Sequence, residues 1–195
     1  MLPVIFDSLR IAGAAVLCSA AVKLLDDYLD RELDAVSGQP NWINRLGEGS
    51  VAYSLPLLAG GVAMETAVAL SLFLAAWAVG MYRDLAVCYP SRLRGWQEAL
   101  LAIAAGVAFA GWRLMLCALL LAASIQAADD IVDRYGDQAA GRRNLAHRFG
   151  TIPCLGAALA LGFSAWLAAP APFWPMLGGI AAVYAASGMR RPARV

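Results

Sequence analysis

Long apolar segments make up most of the chain and constrain what it can fold into. They run roughly over residues 4–25, 51–82, 99–128 and 152–188. The second segment alone would form a helix of about 48 Å at about 1.5 Å per residue, whereas a membrane's hydrocarbon core is about 30 Å thick. Breaks are therefore expected inside the longer segments. The sequence offers them at Gly60-Gly61 with Glu65, at residues 111–113 and at residues 169–172.

These segments predict a single domain, residues 1–195, that folds as an all-α, polytopic transmembrane bundle of about seven helices. We place the helices at 4–30, 48–62, 65–82, 96–111, 113–134, 151–168 and 173–189. The composition agrees, because 61% of the residues are hydrophobic and only 15% are charged. A net charge of +1 gives no indication of a nucleic-acid partner.

The basic residues predict how the chain crosses the membrane. Thirteen of the fifteen Lys and Arg residues lie in or beside the loops 26–50, 83–96 and 133–150 or follow Gly188. The positive-inside rule places these loops and the C-terminus in the cytoplasm and the N-terminus outside. We therefore expect a multi-pass protein of the cytoplasmic membrane. Because no basic stretch precedes the first apolar segment, we expect that segment to remain as a helix rather than to be cleaved as a signal peptide.

Two acidic stretches, "DDYLDRELD" at 26–34 and "DDIVDRYGD" at 129–137, contain nine of the fourteen carboxylates. Their aspartates are Asp26, Asp27, Asp30 and Asp34 in the first and Asp129, Asp130, Asp133 and Asp137 in the second. Spacings of three and four residues place most of each set on one helical face, where like charges repel unless a cation lies between them. Carboxylate oxygens favour magnesium, calcium or manganese over zinc, and magnesium commonly links one or two carboxylates to substrate phosphates. The two clusters therefore predict a site that holds a diphosphate through Mg2+.

Several basic residues in or beside the same loops are candidates to contact that diphosphate. They are Lys23, Arg45, Arg92, Arg94, Arg142 and Arg143. For Lys23 the alternative is that its ammonium group extends to the membrane interface.

A simpler interpretation of each cluster is a solvated helix end with i,i+4 ion pairs, Asp27 with Arg31 and Asp130 with Arg134. The repetition of the pattern argues against it. Aligned at an offset of 103, "DDYLDRELDAVSG" and "DDIVDRYGDQAAG" share six identities in thirteen positions. This similarity predicts two related halves, an arrangement common in membrane proteins whose site lies between repeats.

With these motifs the chain resembles the UbiA superfamily of intramembrane prenyltransferases. Members carry a first motif N/D-D-x-x-D-x-x-x-D, matched from Asp26 to Asp34, and a second motif D-x-x-x-D, matched by Asp133 and Asp137. The segment "DRYGDQAAGRRNLAHRFGT" resembles the second-motif region, with Asn144 where threonine is usual. The stretch "YPSRLRGW" resembles the family's cytoplasmic loop and adds Tyr89 to the candidate diphosphate contacts.

The resemblance covers residues 20–150 and implies a compact member, because family bundles have about nine helices and a helix before the one that carries the first motif. We expect lipid, a partner subunit or another copy of the chain to replace the missing helices. The resemblance also implies site roles. Catalytic roles fall on Asp26, Asp27, Asp30, Asp34, Asp130, Asp133 and Asp137, and metal binding on these residues and Asp129.

The activity implied by the resemblance is a Mg2+-dependent prenyltransferase that ionises an isoprenyl diphosphate and transfers the prenyl group to a lipophilic acceptor, with its active site facing the cytoplasm. Magnesium would neutralise the negative charge that develops on the leaving group. Asp26 in place of the more usual Asn keeps a membrane terpene cyclase, which needs no acceptor, as an alternative. A second alternative is a non-catalytic membrane subunit or a divalent-cation transporter.

Overall fold

The computed structural model describes residues 2–37, 40–134 and 144–188 of the 195-residue chain. In this part the protein is all-α. The α-helices are α1 (Leu2–Ser37), α2 (Trp42–Leu46), α3 (Ser54–Met64), α4 (Thr66–Gly80), α5 (Gly95–Ala110), α6 (Trp112–Val132), α7 (Leu145–Phe149), α8 (Thr151–Ala168) and α9 (Pro170–Gly188). A 3₁₀ helix, Glu48–Tyr53, leads into α3, and another, Met81–Arg83, follows α4.

The longer helices match the seven predicted from the apolar segments, and the short helices α2 and α7 are additional. The chain leaves helical geometry at Glu65, Gly111 and Ala169, close to the predicted breaks. Gly60 and Gly61 were expected to contribute to the first break, but both lie inside α3. The reason is packing, because a Cβ atom on Gly61 would lie 3.2 Å from a backbone oxygen of α1.

Helix α1 is longer than predicted, since it continues past residue 30 to Ser37. Its 36 residues correspond to about 54 Å at about 1.5 Å per residue, well beyond a hydrocarbon core of about 30 Å. All four aspartates of the first cluster therefore lie on one continuous helix, as their spacing predicted. Helix α6 is shorter than predicted. It ends at Val132, and Asp133 is its C-cap residue.

Three helical stretches in the described part are long and apolar enough to cross a membrane. They are Ile5–Glu32 within α1, α6 and α8. Helices α4 and α5 are apolar as well, but shorter, at 15 and 16 residues. The three candidate spans indicate a multi-pass membrane protein.

Helix α1 packs against α3, α4 and α9, whereas α6 packs against α4, α5 and α8. Small residues make these contacts close, and Ala14, Ala15 and Cys18 of α1 are fully buried in the core. At Gly179 of α9 the two helix backbones approach closely, because a Cβ atom there would lie 2.7 Å from the backbone oxygen of Ala12. This packing fixes α1 and α9 side by side and positions the acidic end of α1 relative to its neighbours.

A charged contact far from the aspartates joins α1 to the turn between α3 and α4. The Arg10 guanidinium lies 3.3 Å from the Glu65 carboxylate and donates two hydrogen bonds, of 2.9 and 3.2 Å, to the backbone oxygen of Met64. The contact satisfies a backbone carbonyl that the end of α3 leaves without a helical partner.

Candidate functional site

The two aspartate clusters meet at one cavity of about 250 Å³ between α1, α4, α6 and α9. Three aspartates from each of α1 and α6 line it. They are Asp26, Asp30 and Asp34 from α1 and Asp129, Asp130 and Asp133 from α6. Apolar side chains that include Leu72, Ile125 and Ile180 form the rest of the wall, together with Lys23, Gln126 and Tyr184. Carboxylates 103 positions apart in the sequence thus face the same space.

Asp27 holds the loop that follows the first cluster. Its carboxylate is 1% exposed and is bound at both oxygens. Oδ1 lies 2.8 Å from Lys23 Nζ, and Oδ2 accepts a 2.7 Å hydrogen bond from the backbone N–H of Trp42, the first residue of α2. The ion pair of Asp27 is therefore with Lys23, one turn earlier, and not with Arg31 as the solvated-face interpretation expected.

Asn41 completes this connection by capping α2. Its Oδ1 accepts hydrogen bonds from the backbone N–H groups of Ile43 and Asn44, at 2.8 and 3.1 Å. Its Nδ2 donates to the backbone oxygen of Asp27 at 2.6 Å and to Asp34 Oδ2 at 2.8 Å. An asparagine amide has one acceptor oxygen and two N–H donors. One side chain can therefore cap α2 and also bind α1.

The second cluster has the same arrangement. Asp130 is also 1% exposed, and its Oδ2 accepts a 2.9 Å hydrogen bond from the backbone N–H of Leu145, the first residue of α7. Asn144 caps α7 by accepting from the backbone N–H of His147 at 3.0 Å, and it donates to the backbone oxygen of Asp130 at 2.8 Å. Gln126 Nε2 donates to Asp130 Oδ1 at 3.0 Å and so occupies the place that Lys23 has in the first cluster.

Every contact in this second set lies 103 positions after its counterpart, and the match continues past the caps. Gly47 ends α2 with φ 87° and ψ 155°, and Gly150 ends α7 with φ 91° and ψ 160°, a conformation that glycine adopts far more readily than other residues. Beyond them, Arg31 Nε lies 3.4 Å from Glu48 Oε1, and Arg134 donates a 3.0 Å hydrogen bond to Thr151 Oγ1. The repeat inferred from thirteen positions therefore extends over residues 23–48 and 126–151.

Of the predicted diphosphate contacts, Lys23 lines the cavity. Arg45 is exposed on α2, and Tyr89, Arg92 and Arg94 lie in the loop before α5; none of these four is among the lining residues. Asp137, Arg142 and Arg143 lie outside the described residues.

The loop that carries Tyr89 is ordered by backbone hydrogen bonds, from Tyr89 N–H to the oxygen of Leu93 and from Arg92 N–H to the oxygen of Tyr89. Desolvation, followed by the carboxylates of Asp84 and Glu98, raises the pKa of the Tyr89 phenol above its usual value. The phenol is therefore protonated at neutral pH and can donate a hydrogen bond.

The donor chemistry of the cavity suits magnesium, because carboxylate oxygens are its preferred protein ligands. Over the described ranges, no group of three or more His, Cys, Asp or Glu side chains is arranged to hold a metal ion by itself. Magnesium typically binds one or two carboxylates and completes its coordination with water and substrate phosphates. The fit is thus to an ion shared with a ligand rather than to a closed protein cage.

Sequence reasoning did not identify Asn41, Asn144, Gln126 or Tyr184 as site residues. The signal for the two asparagines was available, because extending the offset of 103 pairs "NWINRLG" with "NLAHRFG" and aligns Asn, Arg and Gly. Tyr184 had no such signal, since only the packing of α9 on α1 brings it to the cavity.

Comparisons with protein-family models, with curated proteins and with solved structures found no match to this chain.

Proposed function

We propose that the protein is a magnesium-dependent, UbiA-like prenyltransferase of the cytoplasmic membrane that ionises an isoprenyl diphosphate and transfers the prenyl group to a lipophilic acceptor. The observation that carries the proposal is the single cavity lined by three aspartates from α1 and three from α6. Two facing carboxylate sets above an apolar wall suit a ligand with a diphosphate at one end and a hydrocarbon chain at the other.

Asp26 and Asp30 on α1 and Asp129 and Asp133 on α6 are the residues that would hold magnesium. When bound, magnesium would supply Lewis-acid neutralisation of the charge on the departing diphosphate. Lys23 adds a cationic donor in the same cavity. Through bound magnesium, the opposing carboxylates would hold the head group between the two helices, so that its orientation is set before the carbon–oxygen bond breaks.

Asp27 and Asp130 have a different role in this proposal. Both are buried, and each binds the first backbone N–H of a short helix. They are positioning residues that hold α2 against α1 and α7 against α6, so that the neighbouring aspartates face the cavity.

The apolar part of the cavity accounts for the chemistry expected of the prenyl group. Leu72, Ile125 and Ile180 present no nucleophile and exclude water from a developing carbocation. The cavity volume of about 250 Å³ is below the range of about 300–1,000 Å³ found for most ligand pockets. The head group therefore occupies the cavity, and the distal prenyl chain extends beyond it into the apolar surroundings.

The proposal is tested by measuring pyrophosphate release from prenyl diphosphates of several chain lengths with detergent-purified protein and magnesium. Asp30→Asn and Asp133→Asn should each lower the rate by about 100-fold or more, because each removes charge from the group that stabilises the leaving diphosphate. Glu32→Gln is the matched control, since its side chain on the same helix is 87% exposed, and it should retain the wild-type rate.

Wild-type rates in both aspartate variants would contradict the proposal, as would magnesium flux into liposomes without pyrophosphate release. Mass spectrometry of the products separates the transferase from the terpene cyclase. A cyclase forms hydrocarbon or alcohol with no acceptor present, whereas a transferase requires the acceptor.

A further inference from the structure

Lys23 is the one place where the two halves of the described cavity wall differ in charge at equivalent positions. The residue 103 positions later is Gln126, and both side chains line the cavity and bind the buried aspartate four residues further on. The two side chains contact their aspartates in the same way, but the group on α1 is an ammonium and the group on α6 is a neutral amide.

The ammonium group of Lys23 lies within the first cluster. It is 2.8 Å from Asp27 Oδ1 and 3.6 Å from Asp26 Oδ2, and the side chain is 23% exposed. Asp26 lines the cavity and is one of the proposed magnesium ligands. A fixed positive charge at this distance from a ligand opposes a divalent cation, and low solvent exposure weakens the screening of that repulsion.

Anchoring of the loop does not explain why this residue is a lysine. Gln126 binds Asp130 at 3.0 Å, and Asp130 is as buried as Asp27, so a glutamine supports the same arrangement in this chain. The charge of Lys23 therefore has a role that the hydrogen bond alone does not require.

We propose that Lys23 is a resident counter-ion that keeps the divalent-metal affinity of the α1 cluster low until a diphosphate enters the cavity. Without the ligand, its ammonium group neutralises part of the charge of Asp26 and Asp27. With the ligand, the diphosphate supplies negative charge that both the ammonium group and the metal ions bind. The inference rests on the proposed function, because it takes this cavity to be the magnesium and diphosphate site.

The test measures two affinities of the detergent-purified full-length chain. The first is for Mn2+ alone, by electron paramagnetic resonance, and the second is for inorganic pyrophosphate at saturating Mg2+, by calorimetry. The key variant is Lys23→Gln, which copies the residue already present in the other half. Lys23→Arg is the charge-retaining control, and Gln126→Lys introduces the ammonium group on the α6 side.

Lys23→Gln should tighten Mn2+ binding by about tenfold, the size of effect expected when a like charge within about 4–6 Å is removed, and should weaken pyrophosphate binding. Adding Asp30→Asn should cancel the gain in Mn2+ affinity, which would assign it to the α1 cluster. Gln126→Lys should weaken Mn2+ binding, and Lys23→Arg should keep both affinities close to wild type.

An unchanged Mn2+ affinity in Lys23→Gln would overturn the inference, because it would leave Lys23 as a diphosphate contact only. A loss of both affinities would also overturn it, since a purely structural residue gives that result. Absence of Mn2+ binding in every variant would overturn it as well. Failure of the proposed function is a separate result, in which Lys23→Gln tightens Mn2+ binding but the wild-type chain releases no pyrophosphate from prenyl diphosphates.

Discussion

The described parts of the segments 23–48 and 126–151 form equivalent contacts around their buried aspartates with only part of the same sequence. Aspartate, asparagine and glycine are identical where they bind or terminate a short helix, at Asp27 and Asp130, Asn41 and Asn144, and Gly47 and Gly150. Other positions keep the contact but change its chemistry, as in the ion pair of Lys23 with Asp27 and the hydrogen bond of Gln126 with Asp130. The comparison separates the residues that set the geometry from those that set the charge.

The identical residues are those for which the chain has few substitutes. A buried carboxylate can accept from a side chain one turn earlier in its own helix and, at the same time, from the first backbone N–H of the next helix. The conformations of Gly47 and Gly150, near φ 90° and ψ 155–160°, are essentially restricted to glycine. A change at these positions alters the loop, whereas a change at Lys23 or Gln126 alters the cavity and leaves the loop in place.

Truncation of the buried aspartates should give the largest loss of stability. Asp27→Ala leaves Lys23 without its close buried partner and Trp42 N–H without an acceptor, so we expect a loss of about 3 kcal/mol in the free energy of unfolding. Asp130→Ala removes the hydrogen bonds from the Gln126 amide and from the backbone N–H of Leu145, which alone predict a loss of at least about 1 kcal/mol. Thermal unfolding of the two variants in the same detergent measures both losses.

The control is the double variant Lys23→Gln with Asp27→Ala, which removes the ammonium group that Asp27→Ala leaves with Asp26 as its ion-pair partner. It should be more stable than Asp27→Ala alone. A double variant that is no more stable than Asp27→Ala would show that the ammonium group costs nothing once Asp27 is removed.

A smaller loss is expected at the capping asparagines. Aspartate caps a helix as well as asparagine does, but it cannot donate a hydrogen bond. Asn41→Asp loses the donors to the backbone oxygen of Asp27 and to Asp34 Oδ2 and places two carboxylates together. We expect a loss of about 2 kcal/mol in the free energy of unfolding for Asn41→Asp, and Asn144→Asp, which loses the bond to the backbone oxygen of Asp130, should also destabilise the protein.

Amide hydrogen exchange at Ile43 and Asn44 provides a second measurement for the first variant. These N–H groups remain capped by the new carboxylate, so their protection should persist while the global stability falls. Loss of protection at both would show that the asparagine acts mainly through the cap.

That aspartates of the two clusters face one cavity was predictable from the sequence, because the signal for each cluster is local. Spacings of three and four residues on a helix placed the first aspartates correctly, and the offset of 103 indicated that two such helices are related. The helix end at residue 30 was wrong because α1 continues through charged residues to Ser37. Helices α2 and α7 were missed because five residues are too few to show a periodic pattern.

The rest of the site depends on contacts between distant parts of the chain. Tyr184 reaches the cavity because α9 packs against α1 at Gly179, which no local pattern indicates. The partner of Asp27 was also not determined by spacing, because Lys23 and Arg31 both lie four residues away and only the structure distinguishes them.

The smallest effect is expected where the halves differ at an exposed contact. Arg31 forms an ion pair with Glu48, whose side chain is 73% exposed, and the equivalent Arg134 donates to the hydroxyl of Thr151. Glu48→Thr places at position 48 the residue found at the equivalent position 151. We expect a change of less than about 0.5 kcal/mol in the free energy of unfolding, because solvent screens exposed ion pairs. Thermal unfolding at low and high salt tests this expectation. A loss above about 1 kcal/mol that disappears in high salt would show that this ion pair, and not only the buried aspartate and its asparagine, holds the first loop against α1.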